Sequence, residues 1–243
     1  MADERWVMVY ECDETRCGVP VGVTVRIGQS LLVGREGDLP LGIEIYDRGV
    51  SRRAALVTAT EQGWQVEVLN SNGAVLHPWG QGPTLAGRYI NLMWPRTGIR
   101  ILNGAKPGET DKLQHWLLLE SDMIDVTPVG ARAPANATTS TYQATPPTPL
   151  TVGQLEALQV VFADQLQWPP VQPAAPLLLR TAARRLGIGE SGVQERLSKA
   201  HARALKLGLH RPVGLTEPEY LYILVRAGYL PLPTHHSYRH RLD

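Results

Sequence analysis

The chain has 243 residues, 24 Lys+Arg against 23 Asp+Glu, and 43% hydrophobic residues, which suits two ordinary domains of about 80–120 residues with a linker. No run of about 18 apolar residues is present, which leaves no candidate membrane-spanning helix. The opening MADERWVMVYECDETRC is acidic and lacks the basic flank and apolar run of a signal peptide, so a cytoplasmic location is the expectation.

Residues 5–120 read as short strands. The segments 5–12, 18–27, 30–35, 42–47, 54–60, 64–70, 98–103 and 115–121 are rich in Val, Ile, Leu and Trp. Turn signals such as GREGD, DRG, EQG and SNG separate them, a spacing that predicts an all-β sandwich over residues 1–122. Cys12 and Cys17 lie five apart. They could bridge a hairpin or stand as free thiols, and a cytoplasmic setting favours the thiols. With no further Cys pair or His cluster nearby, no zinc site is expected.

Residues 123–149 are rich in Pro, Ala and Thr without apolar periodicity, as expected of a flexible linker. Thr138, Thr139, Thr141, Thr145 and Thr148 within it are accessible candidates for phosphorylation by a Ser/Thr kinase. From residue 150 the pattern becomes helical and extends to 233, before a polar tail at 234–243. Leu155, Leu158, Val161, Phe162 and Leu166 share one face of a first helix, with Thr151 as its N-cap. A Pro-rich loop follows at 167–176. A short helix then ends at Gly187, a longer one from about Ser191 turns Val193, Leu197, Ala200 and Ala204 inward, and a fourth is capped by Thr216. The balance of charge differs between the two halves: residues 1–149 carry 13 basic and 16 acidic side chains, residues 150–243 carry 11 and 7. Only the second half has a surplus that suits a polyanion.

Three segments of the β half carry chemistry: LLVGRE with Arg35, VSRRAA with Ser51 and Arg52, and LNSNGA with Ser71 and Asn72. A phosphate dianion held by loops calls for a planar, permanently charged donor, which Arg35 supplies, and for short hydroxyl and amide donors beside it. In order and approximate spacing these segments resemble the forkhead-associated (FHA) family, whose members read Gly-Arg, then Ser-Arg-x-His, then Ser-x-Asn-Gly. The resemblance implies recognition of a phosphothreonine-containing protein, such as a Ser/Thr kinase or its substrate, by Arg35, Ser51, Arg52, Ser71 and Asn72. Gly73 would provide the turn that presents Asn72. Two positions depart from the pattern: Ala54 replaces the His that braces the loops, and Asn70 replaces the usual Ser.

The helical half, with ArgThrAlaAlaArgArgLeuGlyIle at 180–188, resembles the LuxR-like helix-turn-helix domain. That resemblance implies binding of double-stranded DNA, with possible homodimerisation through the fourth helix. Ala182 or Ala183 would let the two helices cross closely. Arg184 and Arg185 would clamp the backbone, and Ser191, Gln194, Glu195, Arg196, Ser198, Lys199 and Arg203 would face the groove. No Gly-rich phosphate loop, metal motif or nucleophile elbow is present, so neither enzyme activity, cofactor nor metal is expected. The sequence therefore suggests a phosphothreonine-responsive transcription regulator; the alternative is a phosphopeptide-binding scaffold whose helical half docks on protein.

Overall fold

The computed structural model describes residues 4–14, 17–105, 112–121, 148–170 and 172–232. The chain divides into two compact units, one built mainly from Met1–Trp79 with Pro83–Asp125 and the other mainly from Val126–Pro233. The polar tail and all but the end of the Thr-rich segment lie outside the described residues.

The first unit is all-β. Its strands are β1 (Glu4–Cys12), β2 (Val21–Arg26), β3 (Ser30–Gly34), β4 (Leu39–Pro40), β5 (Ala55–Thr60), β6 (Gly63–Val68), β7 (Ala74–Pro78), β8 (Thr84–Leu85), β9 (Tyr89–Leu92), β10 (Arg96–Ile101) and β11 (Gln114–Glu120). They form one six-stranded sheet in the order β2-β1-β11-β10-β7-β8 and one five-stranded sheet in the order β4-β3-β5-β6-β9. Alternation drives the second sheet. On β5, Ala55, Val57 and Ala59 are buried while Leu56, Thr58 and Thr60 are half-buried. On β6, Trp64, Val66 and Val68 turn inward to meet them. Val7, Val9, Ile99, Leu117 and Leu119 of the first sheet complete this core. β11 lies between β1 and β10 and is buried along its whole length, so its run of Leu and Trp has no solvent face to alternate with. Arg5, also buried, ties the start of β1 to the carbonyls of Thr60 and Glu61, each at 2.8 Å, and to the Ser121 hydroxyl.

Three expectations change. Residues 42–47 form no strand, because the Gly42 and Ile45 N–H groups donate to the carboxylate of Glu11 instead of to a neighbouring strand. β7 and β9, interrupted by Pro and Gly in HPWGQGP, are not evident from alternation. Cys12 and Cys17 are disulfide-bonded, closing the end of β1 on itself. The expected free thiols are therefore corrected, and because a disulfide persists in oxidising compartments, this pairing does not support the expected cytoplasmic location.

The second unit consists of helices α1 (Val152–Val161), α2 (Ala163–Leu166), α3 (Leu179–Leu186), α4 (Glu190–Lys206) and α5 (Glu219–Arg226). Thr151 caps α1 through a capping box with Gln154. The expected first helix breaks at Phe162, whose backbone leaves helical geometry and whose ring is buried edge-on against Tyr220 at 5.6 Å between centroids. Gly187, left-handed at φ 64°, ends α3. α4 starts one residue before Ser191, with Gly189 at its N-cap. Thr216 does not cap the last helix: Pro218 occupies that position, and α5 begins at Glu219. Leu158, Val161, Ala182, Ala183, Val193, Leu197, Ala200, Ala204, Leu221 and Leu224 form the core. Small side chains at Ala182, Ala183, Ala200 and Ala204 leave room for close helix packing. No helix among the described residues is long and apolar enough to cross a membrane.

Candidate functional site

The three sequence motifs fall on the loops after β3, before β5 and after β6, and hydrogen bonds tie these loops together. Gly34 ends β3 with φ 148°, and a Cβ there would stand 2.5 Å from the Arg52 carbonyl oxygen and 2.7 Å from the Ala54 nitrogen. Only glycine lets the first two loops touch. Across that contact the Arg35 N–H donates to Ser51 O at 3.3 Å and the Glu36 N–H to Arg52 O at 2.9 Å.

Arg35 is half-buried, and its Nε donates to Val50 O at 2.7 Å. No hydrogen bond among the described residues engages its terminal nitrogens. The side chain is therefore fixed by its stem while its charged end stays available. Ser51 Oγ accepts the Ser71 N–H at 3.2 Å and keeps its own proton to donate. Asn72 Nδ2 donates to Gly49 O at 3.0 Å, leaving its Oδ1 as an acceptor. Gly73 adopts φ 78°, as the turn requires. Arg52 is exposed and pairs with Glu36 at 3.1 Å. An exposed pair of this kind is worth about 0–1 kcal/mol, so a phosphate can displace it at little cost.

The two departures from the FHA pattern have distinct outcomes. Ala54 is buried, and its N–H and carbonyl link Val33 to Leu69 and Asn70, so no side chain braces the loops from there. Asn70 does. Its Oδ1 accepts the Ser51 N–H at 3.0 Å, and its Nδ2 donates to Gly73 O and Leu102 O at 2.9 and 2.7 Å. The Ser51 N–H is thereby committed within the protein and is not free to join the ligand contacts.

Further residues shape the site without a local sequence signal. Tyr46, 60% exposed, accepts a hydrogen bond from Arg48 at 3.4 Å. That bond and the charge of Arg48, with a smaller contribution from Arg35, hold the phenol below its ordinary pKa. Beneath the second loop, Asp47 Oδ1 accepts the Gly49 N–H at 2.7 Å, while its Oδ2 accepts Asn103 Nδ2 at 2.8 Å and meets His115 Nε2 at 3.0 Å. The other ring nitrogen of the fully buried His115 lies 3.8 Å from Glu11. Burial opposes ionisation of both carboxylates, but hydrogen bonds outweigh it and hold each below the usual range. For Asp47 these come from Asn103, Gly49 and His115; for Glu11 they come from Ile45 and Gly42, with the His115 ring close by.

In the helical unit, Arg184 and Arg185 at the end of α3 are exposed and without an ion pair among the described residues, and Ser191, Gln194, Glu195, Ser198 and Lys199 are exposed along α4. Two expected groove contacts are not presented outward. Arg196 is half-buried and reaches Gly153 O and Glu156 of α1 at 3.5 and 3.4 Å. Arg203 donates to Thr148 O at 2.6 Å and lies over the Tyr229 ring. Lys199 is paired with Glu195 at 2.7 Å.

No family model matches the chain, and no curated protein matches it. Solved FHA domains resemble its first half. The FHA domain of the CT664 protein from Chlamydia trachomatis aligns over 48% of this chain and 97% of its own, at 14% identity and a TM-score of 0.34. For FHA-1 of Mycobacterium tuberculosis Rv1747 the shares are 49% and 99%, at 15% identity and a TM-score of 0.31. The FhaA FHA domain, solved in complex with the intracellular domain of Rv3910, covers 46% and 98%, at 20% identity and a TM-score of 0.29.

Proposed function

We propose that the β unit captures a phosphothreonine-bearing segment of another protein. The observation that carries this is the state of Arg35: its Nε is anchored on Val50 O and its terminal nitrogens are uncommitted, in a loop hydrogen-bonded to Ser51. A guanidinium so arranged suits bidentate capture of a phosphate, with the Ser51 hydroxyl and displaceable Arg52 as added donors. Asn72 and Ser71 hold the peptide backbone. The motif pattern supports the same ligand. Binding of a degenerate phosphothreonine peptide library to the full chain, compared with Arg35→Ala, tests the reading. Loss of binding is the expected result; undiminished binding by the variant removes Arg35 from the site.

For the helical unit the geometry favours docking on protein, which makes the whole a phosphopeptide-binding adaptor. Specific DNA binding draws much of its affinity from cations free to meet phosphates, and on α4 Arg196 and Arg203 are each engaged within the unit. A second reading, DNA binding and phospho-responsive transcription control, rests on the exposed Arg184 and Arg185 and on the short turn between α3 and α4. Gel retardation of genomic fragments at low salt separates the two. Retardation by the wild-type chain that Arg184→Ala/Arg185→Ala abolishes would establish the second reading.

A further inference from the structure

The motif residues touch the phosphopeptide in the reading above, but the carbonyls that aim them belong to Gly49 and Val50. Arg35 Nε rests on Val50 O and Asn72 Nδ2 on Gly49 O. The position of that dipeptide is set from below. The Gly49 N–H is held by Asp47 Oδ1, and Gly49 is pressed so closely on Asn103 that a Cβ would stand 2.0 Å from its carbonyl oxygen. Asp47 is in turn clamped on its other oxygen by Asn103 Nδ2 and His115 Nε2. The start of the same loop is clasped by Glu11, which accepts from Gly42 and Ile45. One loop is thus gripped at both ends by carboxylates, with a single buried imidazole between them.

We infer that Asp47 is a positioning residue for phosphopeptide capture: braced by Asn103 and His115, its carboxylate sets the Gly49–Val50 carbonyls that orient Asn72 and Arg35. This rests on the phosphothreonine reading of the three loops. Asp47 makes no contact with ligand. A largely buried carboxylate held by three hydrogen bonds is stiff, because displacing it strands three partners at once, and that stiffness passes along the Gly49–Val50 dipeptide to two ligand-binding side chains.

The test uses the full chain and the phosphothreonine peptide bound best from a degenerate library. Titration is carried out with wild type, Asp47→Ala, Asp47→Asn/Asn103→Asp, Arg35→Ala, and the core variant Val57→Ala, which lowers stability away from the site. Unfolding midpoints are measured in parallel. Asp47→Ala is expected to weaken binding at least ten-fold, whereas Val57→Ala, at a similar loss of stability, stays within about two-fold of wild type. The reciprocal exchange keeps an acceptor for the Gly49 N–H and restores an amide–carboxylate pair, with His115, in its other tautomer, accepting from the amide introduced at position 47. It should recover affinity to within about three-fold. Should Asp47→Ala not fold, Asp47→Asn, which places an amide against the Asn103 amide donor, carries the same comparison. If the Asp47 variant binds like Val57→Ala while Arg35→Ala loses binding, the inference is overturned and the phosphothreonine reading stands. If the wild-type chain binds no phosphothreonine peptide, both fall together.

Discussion

Asn70 Oδ1 accepts the backbone N–H of Ser51 at 3.0 Å, joining two loops whose motifs lie 19 residues apart in sequence. At this position the chain departs from the FHA pattern, and the amide that stands there braces the loops. The amide spans from Ser51 to Leu102, a reach that a serine hydroxyl lacks.

Asn70→Ala would leave the Ser51 N–H and the Gly73 and Leu102 carbonyls without this partner. The expected loss is about 2–3 kcal/mol of unfolding free energy, together with weakened phosphopeptide binding. Asn70→Ser should fall between wild type and alanine. Chemical denaturation followed by Trp fluorescence measures both; an alanine variant as stable as wild type would show that Asn70 is no brace.

Gly34→Ala places a methyl group 2.5 Å from the Arg52 carbonyl oxygen at a φ of 148°. Strain of this kind costs about 1–3 kcal/mol, and relief requires the first two loops to separate. Peptide affinity should therefore fall by more than the stability loss alone would cause. Titration at a temperature where the variant remains folded tests this.

Acid should destabilise the β unit in two stages. Burial, with the charge of Arg100 adding to it, pushes the His77 pKa down to about 4. The unfolded chain then binds the proton first, so this contribution is full above about pH 6.5 and is lost as pH falls toward 4; its size is on the order of 3 kcal/mol. Glu11 and Asp47 are held below the usual carboxylate range. Their contribution is present above about pH 4 and disappears below it as both protonate. His77→Phe should remove the first stage and spare the second. Urea midpoints from pH 8 to pH 3 would show a single stage in wild type if this assignment is wrong.

In the helical unit, Thr151→Ala removes half of a capping box and should cost about 1 kcal/mol. Arg196→Ala should cost up to about 1 kcal/mol by releasing α4 from Gly153 and Glu156. Thermal melts of the helical signal check both. An Arg196→Ala variant with full stability but impaired DNA retention would restore that residue to the groove-facing set.

Periodicity in the sequence is sufficient where partners are close or where one face is buried. β5 and β6 follow from alternation, and Val193, Leu197, Ala200 and Ala204 from helical spacing. Residues 42–47 alternate like a strand, yet the Gly42 and Ile45 N–H groups go to Glu11, 31 and 34 residues earlier, and no local pattern encodes that choice. The same limit applies to the site. Arg35, Ser51 and Asn72 are legible as a motif, and the structure hydrogen-bonds their loops together. Asp47 and His115 lie 68 residues apart, and neither carries a signal until the sheet places β11 under the loop. Arg196 and Arg203 are legible as basic but not as engaged, because Gly153, Glu156 and Thr148 are 40 or more residues away.

The place of β11 in its sheet has a consequence for how the β unit is made. Residues 114–120 supply the strand that separates 4–12 from 96–101, so a nascent chain that has emerged only as far as residue 110 has both flanking strands and nothing to put between them. Contacts of such long sequence separation form late and slowly. Until that last strand leaves the ribosome, β1 and β10 each present an unpaired edge of the kind that other chains can occupy. Truncation before residue 114 should therefore yield aggregation in place of a smaller domain.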